Sequence, residues 1–228
     1  MRQLLLEWGA AKPQTLDSFV VGKNQELAAL LQVINVRGAT TLDKRFVMIW
    51  GEHGSGKTHL LHSLAMAGTA RYLPGQSATS DFEFNPDIQL YLLDDCESLS
   101  DEAQIAAFAL FNQIREAGGV MVAAATMPPA QLVLREDLRT RLAWGLVYQL
   151  HSLSDEEKIA ALSQSAQARG LSLSVGVIPY LLTHYRRDMQ SLSAILDALD
   201  RYSLETKRPI TMPLLRELLQ LDVTVKPL

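Results

Sequence analysis

Residues 51–58 read Gly51-Glu-His-Gly-Ser-Gly-Lys57-Thr58, which matches the pattern G-x4-G-K-[ST] without a departure. Its glycines permit a tight loop whose backbone N–H groups point inward at a phosphate, and a following helix adds its positive end. We expect Lys57 to reach the terminal phosphates and the Thr58 hydroxyl to ligate Mg²⁺. The predicted nucleotide-binding residues of this phosphate loop are Gly51, His53, Gly54, Ser55, Gly56, Lys57, Thr58 and His59.

The segments around the phosphate loop alternate between strands and helices. Residues 46–50, 88–93 and 120–124 are short apolar runs typical of buried strands, and residues 146–150 are a candidate fourth. Apolar residues recur at helical spacing over 27–36, and residues 57–67 and 102–116 are also predicted to be helices. Strands that alternate with helices predict an α/β fold, in which helices cover both faces of a parallel sheet.

The pattern changes near residue 153. Ser154-Asp-Glu-Glu157 is a capping box that opens a helix, and leucines at helical spacing continue from there to Leu219. We therefore predict an α/β domain over residues 15–153 and a small all-helical domain over 154–228. Residues 1–14 show no helical or strand period and are predicted to form a flexible arm.

An acidic pair, Asp94-Asp95, ends the predicted strand over 88–93. Ligands bind at the carboxyl ends of parallel strands, so Asp94 is a candidate for holding Mg²⁺ and Asp95 for polarising a water that attacks a phosphate. A solvated turn at the end of the strand is the structural alternative. A glutamate is more usual at the second position, so we expect slow intrinsic hydrolysis from the shorter Asp95.

Composition narrows the classes of protein. The 228 residues carry a formal net charge of −4, which argues against a broad basic surface for nucleic acid, although a local patch stays open. The single cysteine excludes an intrachain disulfide and fits a reducing compartment. No apolar stretch approaches the roughly 20 residues that span a bilayer, and the apolar run at the N-terminus is too short for a signal peptide. We expect a cytoplasmic protein.

Several stretches, taken in order, resemble the AAA+ module of the bacterial replication initiator DnaA over roughly residues 15–220. They are Thr15-Leu-Asp-Ser-Phe-Val-Val-Gly22, Lys57-Thr-His-Leu-Leu-His62, Leu93-Asp-Asp95, Pro128-Pro129, Leu138-Arg-Thr-Arg-Leu-Ala-Trp-Gly145 and Arg187-Asp-Met189. The stretch over 138–145 is the most specific of these. The resemblance implies an AAA+ P-loop module followed by a helical lid, with ADP or ATP and Mg²⁺ as cofactors.

The resemblance also implies roles for individual residues. Val20, Val21 and Gly22 match the segment that packs against adenine; the structural alternative is a turn at the start of a helix with the valines in the core, and both can be true. Arg141 matches the arginine finger, with Arg139 as the competing residue and a surface ion pair as the alternative role. Arg187 matches the lid arginine that touches the phosphates, with Arg186 as its competitor. Thr126 falls where the family often has an acid, which puts a catalytic role there in doubt.

The two ends of the chain differ from DnaA. We expect no DNA-binding domain after the lid, and an arm in place of a separate N-terminal domain. Gln3-Leu-Leu-Leu-Glu-Trp8 looks like the peptide with which proteins bind the sliding clamp of DNA polymerase III. Gln3 would make polar contacts while leucines and the tryptophan fill an apolar cleft. The clamp-binding residues would be Gln3, Leu4, Leu6 and Trp8.

These features resemble the regulatory branch of the DnaA-related family. That branch implies DnaA and the clamp as partners, with DNA reached indirectly through the clamp, a nucleoid association, and Arg141 acting in trans on ATP held by DnaA. A homo-oligomer is a further expectation, because arginine fingers imply head-to-tail contacts. Two alternatives stay open at this point. One is an autonomous AAA+ ATPase or helicase loader, and the other is a clamp-binding adaptor for which nucleotide has no role.

Overall fold

The computed structural model describes residues 14–37, 41, 43–66 and 68–223. Its strands are β1 (Phe46–Trp50), β2 (Ala70–Leu73), β3 (Leu90–Leu93), β4 (Val120–Ala125) and β5 (Leu146–Gln149). Its α-helices are α1 (Gln25–Arg37), α2 (Lys57–Ala65), α3 (Asp101–Ala117), α4 (Glu136–Leu142), α5 (Asp155–Ala168), α6 (Val177–His184), α7 (Met189–Thr206) and α8 (Met212–Val223). The described residues form two compact units, which meet in the sequence between Ser152 and Leu153.

The first unit contains a parallel sheet with the strand order β2-β3-β4-β1-β5. All four pairings between neighbouring strands are parallel, and β4 lies between β1 and β3 with Ile49 opposite Ala124. Parallel strands end at the same edge of a sheet. The phosphate loop that follows β1 and the acidic pair that follows β3 are therefore brought to one edge, with the end of β4 between them.

Helices cover both faces of the sheet, because successive side chains of each strand point to opposite faces. Met48 and Leu93 pack on one face in a core that includes Phe111 of α3. Ile49 and Leu92 pack on the other face in a core with α1 and α2. A strand that is buried on both faces reads as a continuous apolar run, which is why β1, β3 and β4 were evident in the sequence.

The second unit is built from α5 to α8, and its core is rich in leucine. Ser154 caps α5, and its hydroxyl and the Glu157 carboxylate satisfy each other's backbone N–H groups, as the sequence predicted. Strand-like pairing in this unit is limited, within the described residues, to one bridge between Leu173 and Ile210. The predicted fold class, a parallel sheet with helices on both faces followed by a small all-helical domain, is confirmed. Among the described residues, no helix is long and apolar enough to cross a membrane.

Three details of the sequence-based prediction were wrong. Strand β2 was missed because it is a four-residue edge strand that carries a charged residue, Arg71, so it has no continuous apolar run. The predicted strand over 88–93 begins only at Leu90, since Ile88 still belongs to a turn closed by a hydrogen bond to Asn85. Helix α4, which carries Arg141, was not predicted as a helix.

Candidate nucleotide-binding site

The phosphate loop connects β1 to α2, and two close approaches require its glycines. Gly56 has a φ of 106°, a conformation that side chains rarely adopt, and a Cβ there would lie 2.9 Å from the ring of Phe19. A Cβ on Gly51 would lie 2.5 Å from the backbone oxygen of Leu150, the residue that follows β5. The loop is therefore tightly wrapped between neighbouring elements, and its N–H groups stand at the start of α2.

Lys57 begins α2 and is buried. Its ammonium donates hydrogen bonds to the backbone oxygens of Gly51 at 2.7 Å and Glu52 at 3.0 Å, so it lies across its own loop. Burial lowers the pKa of Lys57, and the carboxylates of the acidic region oppose that shift. Thr58 is exposed, so its hydroxyl is accessible to a metal ion beside a phosphate.

The remaining predicted residues of the loop differ in their surroundings. His53 and Gly54 are exposed, while the Ser55 hydroxyl is buried without a hydrogen-bond partner among the described residues. His59 is directed at the N-terminal segment, because its Nε2 lies 3.1 Å from the backbone oxygen of Thr15 and 3.3 Å from the Ser18 hydroxyl. Burial lowers the pKa of His59. His59 thus contacts the protein itself, and a contact with nucleotide stays a prediction.

The acidic pair lies at the end of β3. Asp94 is 1% exposed; its Oδ2 accepts a 2.8 Å hydrogen bond from the Tyr72 hydroxyl and its Oδ1 accepts one from the backbone N–H of Asp95. Burial, together with the Asp94 carboxylate, raises the pKa of Tyr72, which keeps the phenol a donor. No sequence pattern pointed to Tyr72, because it lies on the edge strand β2, which was missed.

Asp95 adopts the left-handed conformation, with a φ of 48°. Residues held in this region are strained, and such strain is concentrated at functional sites. Burial and the neighbouring carboxylates of Asp94 and Glu97 raise the pKa of Asp95, while Lys57 opposes them. A raised pKa makes a carboxylate a better proton acceptor, which suits the predicted role in polarising a water.

Glu97 is a third carboxylate in this region, and sequence reasoning missed it. Its Oε1 accepts a 2.9 Å hydrogen bond from the backbone N–H of Thr126, which directly follows β4, and its Oε2 is buried with no partner among the described residues. Its position two residues after Asp95 was the only available signal. Glu97 joins the ends of β3 and β4 and adds negative charge opposite Lys57.

Thr58 and Asp94 fit a Mg²⁺ ion by their chemistry. Both offer hard oxygen ligands, and Mg²⁺ is usually held by one or two protein groups together with waters and substrate phosphates. The described part of the chain contains no cluster of three His, Cys, Asp or Glu side chains that could enclose a metal alone. When bound, the ion would neutralise phosphate charge, and Thr58 and Asp94 would hold it beside the loop.

The predicted adenine-binding segment precedes α1. Val20, Val21 and Gly22 are partly buried. The buried Asn24 fixes them, because its amide donates to the backbone oxygens of Val21 and His151, both at 3.0 Å, and its Oδ1 accepts from the His151 N–H at 2.8 Å. Asn24 therefore ties this segment to the chain beyond β5, a role that could not be read from the sequence.

Arg141 lies in the last turn of α4. Its guanidinium carbon is 5.6 Å from the centre of the Phe108 ring on α3, and its Nε is buried without a hydrogen-bond partner among the described residues. Arg135 is paired with Asp137 at 2.9 Å, but no carboxylate in the described part of the chain pairs with Arg141. The charge of Arg141 is thus not neutralised by a neighbour there.

Arg187 belongs to the second unit and lies between α6 and α7. Its side chain is 62% exposed, and Nη1 is 3.7 Å from an oxygen of Asp155. The adjacent Arg186 is 88% exposed, with Nε 3.5 Å from Asp188. Asp188 caps α7 by accepting from the backbone N–H of Ser191, which explains the aspartate of the Arg-Asp-Met stretch.

The predicted clamp-binding residues Gln3, Leu4, Leu6 and Trp8 lie outside the described residues.

Two family models match the sequence. The bacterial DnaA ATPase domain matches residues 11–74, and the lid domain of Hda matches residues 155–219. A protein of Haemophilus influenzae, described only as uncharacterized, is 36% identical over 233 aligned positions that cover 96% of this chain and 99% of the relative. The chain belongs to the Hda/DnaA-related AAA+ family. The family resemblance predicted from the sequence motifs is confirmed.

Solved structures share the fold at low sequence identity. Domain III of DnaA from Thermotoga maritima matches with a TM-score of 0.72 and 21% identity, over 92% of this chain and 96% of that domain. AMPPCP-bound DnaA from Aquifex aeolicus matches with a TM-score of 0.68 and 20% identity, over 85% of this chain and 67% of that one. A RuvB mutant from Thermotoga maritima has a TM-score of 0.65 and 15% identity, over 92% and 72%. These identities support the shared AAA+ fold alone.

Proposed function

We propose that this Hda/DnaA-related AAA+ protein binds adenine nucleotide and, with the DNA-loaded sliding clamp, stimulates ATP hydrolysis on DnaA. By converting DnaA to its ADP form it would repress re-initiation of replication. Family membership and the Hda-type lid support the coarser statement that the chain is a DnaA-related regulator. The more specific proposal, stimulation of ATP hydrolysis on DnaA, is carried by one observation. The charge of Arg141 has no ion-pair partner among the described residues.

The cofactor in this proposal is ADP or ATP with Mg²⁺. The complete phosphate loop, the accessible Thr58 and the acidic pair support it, as does an AMPPCP-bound member among the DnaA structures of this fold. Lys57 would exchange its bonds to loop oxygens for bonds to phosphate oxygens. Phosphates are the stronger acceptors for a buried ammonium, because opposite charge offsets the cost of its burial.

Arg141 would act in the ATP site of a neighbouring DnaA. A guanidinium that no described residue of its own chain neutralises is suited to stabilise charge on a transferring phosphoryl group. An arginine finger supplied in trans raises the rate of hydrolysis by about 10³–10⁵-fold. The ring of Phe108 holds the guanidinium without neutralising it. In this proposal Asp95 contributes at most weak ATP hydrolysis by the chain itself.

The arm would recruit the clamp. Gln3, Leu4, Leu6 and Trp8 form the peptide-like stretch, and an extended peptide of this kind binds apolar pockets through its side chains. Binding to a clamp that encircles DNA would raise the local concentration of the protein beside DnaA without any direct contact with DNA. The nucleoid association in this proposal follows from the clamp.

An autonomous ATPase or helicase loader is a second candidate. One observation favours it: Glu97 brings a third carboxylate to the acidic region, and this longer side chain could assist Asp95 in positioning a water. Slow hydrolysis by the chain alone supports the regulator, whereas multiple rapid turnovers without DnaA support this second candidate.

The proposed function is tested by single-turnover hydrolysis of ATP bound to DnaA. The rate is measured for DnaA alone, with this protein, with DNA-loaded clamp, and with both. We expect stimulation only when both this protein and the DNA-loaded clamp are present. When this protein is at a limiting concentration, the Gln3→Ala variant should lose that stimulation. A DnaA rate that is unchanged in the complete mixture would refute the proposal. Stimulation that does not need the clamp would refute the role of the arm.

A further inference from the structure

Tyr72 binds the side chain predicted to hold Mg²⁺. Its hydroxyl donates a 2.8 Å hydrogen bond to Oδ2 of Asp94, while Oδ1 accepts a 3.0 Å bond from the backbone N–H of Asp95. Each carboxylate oxygen keeps a further lone pair for a metal ion or its water. The two bonds together fix the rotation of a carboxylate that is almost wholly buried.

Tyr72 is itself held from two sides. Its ring stacks on His62 of α2, with the ring centres 4.3 Å apart and the planes inclined by 27°. Its backbone pairs with β3, where Tyr72 lies opposite Leu92, two residues before Asp94. The hydroxyl is therefore fixed relative both to the helix that begins with Lys57 and to the strand that carries Asp94.

We infer that Tyr72 is a positioning residue for Asp94, so that the Mg²⁺ affinity of the nucleotide-bound site depends on the Tyr72 hydroxyl. The inference rests on the proposed nucleotide site. Groups that hydrogen-bond to metal ligands fix the ligand's orientation, and their loss typically lowers metal affinity by about 10–100-fold. The stacking of His62 on the Tyr72 ring supports the same contact.

Tyr72→Phe tests the inference because it removes one hydroxyl and keeps the ring that stacks on His62. The matched control is Tyr148→Phe, which breaks another tyrosine–carboxylate bond of the same unit, the 2.9 Å contact between Tyr148 and Glu26. Asp94→Asn serves as the reference for loss of the metal ligand. All variants are made in the full chain, and thermal unfolding confirms that each is folded.

The measurement is binding of a fluorescent ADP analogue while Mg²⁺ is raised from a chelated to a saturating concentration. We expect Tyr72→Phe to bind the analogue like the wild type in chelator. The Mg²⁺ concentration that gives half of the full change in analogue binding should rise by roughly 10–100-fold in this variant, toward the value for Asp94→Asn. Tyr148→Phe should match the wild type throughout.

The possible outcomes separate this inference from the proposed function. If Tyr72→Phe shows the wild-type Mg²⁺ dependence, the positioning role is wrong and the proposed function stands. Equal weakening in Tyr72→Phe and Tyr148→Phe also overturns the role, because it would reflect a general loss of stability. A folded wild-type protein that binds no nucleotide overturns both, whereas nucleotide binding that does not depend on Mg²⁺ overturns this inference and the proposed Mg²⁺ site alone.

Discussion

At the scale of single residues, the phosphate loop places a buried ammonium among three carboxylates. Lys57 is held by two backbone oxygens, and Asp94, Asp95 and Glu97 supply the opposing charge. Burying an ammonium is costly unless it is hydrogen-bonded and near opposite charge, so the two loop oxygens and the negative charge of the carboxylates that follow β3 offset that cost. A bound phosphate would replace the two loop oxygens as the acceptor of the Lys57 ammonium.

Gly56→Ala should destabilise the fold. The residue has a φ of 106°, and the added Cβ would lie 2.9 Å from Phe19, so both strain and overlap oppose it. We expect a loss of about 1–3 kcal/mol in the free energy of unfolding, measured by urea denaturation. Gly68→Ala is the matched control, because a Cβ there meets nothing within 4 Å. Equal stability of the two variants would contradict this account of the loop.

His59 should make the fold sensitive to mild acid. Burial lowers the pKa of His59 in the folded protein below 6.5, its ordinary value in the unfolded chain. The unfolded chain therefore takes up the proton first as the pH falls, and the contribution of neutral His59 is present above pH 6.5 and lost below it.

We expect the stability advantage of the nucleotide-free wild type over His59→Gln to shrink as the pH is lowered from above 6.5 toward the lowered pKa. Denaturant unfolding of both proteins across this range measures the difference. A constant difference between them would show that His59 titrates alike in the folded and unfolded states.

At the scale of elements, the site depends on how strand ends are joined. Glu97 links the segment after β3 to the N–H of Thr126 after β4, and Tyr72 links β2 to Asp94. Each link is a side-chain hydrogen bond to a group at the carboxyl edge of the sheet. The sheet brings these ends together, and the polar contacts then fix their relative positions.

Removing one helix cap from each compact unit should destabilise that unit without affecting the other. Ser154 caps α5 in the second unit, and Ser100 caps α3 in the first. Replacing either serine with alanine should cost about 1 kcal/mol. By amide hydrogen exchange, we expect Ser154→Ala to speed exchange in residues 155–219, and Ser100→Ala in the first unit. Identical exchange patterns for the two variants would contradict the division into units.

At the scale of the whole molecule, the sequence predicted those elements of the fold that have a local sequence pattern. The phosphate loop, β1, β3, β4 and the cap of α5 were all evident, because apolar runs, glycine spacing and capping residues are local signals. The edge strand β2 was not evident, since its four residues include the charged Arg71 and form no continuous apolar run. Local patterns also did not predict the roles of four residues, because these roles arise from contacts between residues far apart in the chain. They are Tyr72, Glu97, Asn24 and Phe108.

The central claim, that Arg141 acts on ATP held by DnaA, is tested most directly by comparing Arg141→Ala with Arg139→Ala. The two arginines lie on the same short helix, and neither has an ion-pair partner among the described residues. The measurement is clamp-dependent, single-turnover ATP hydrolysis on DnaA. We predict that Arg141→Ala loses stimulation by about 10³-fold or down to the unstimulated rate, while Arg139→Ala retains it. Full stimulation by Arg141→Ala, in a variant that still binds clamp and nucleotide, would contradict the account.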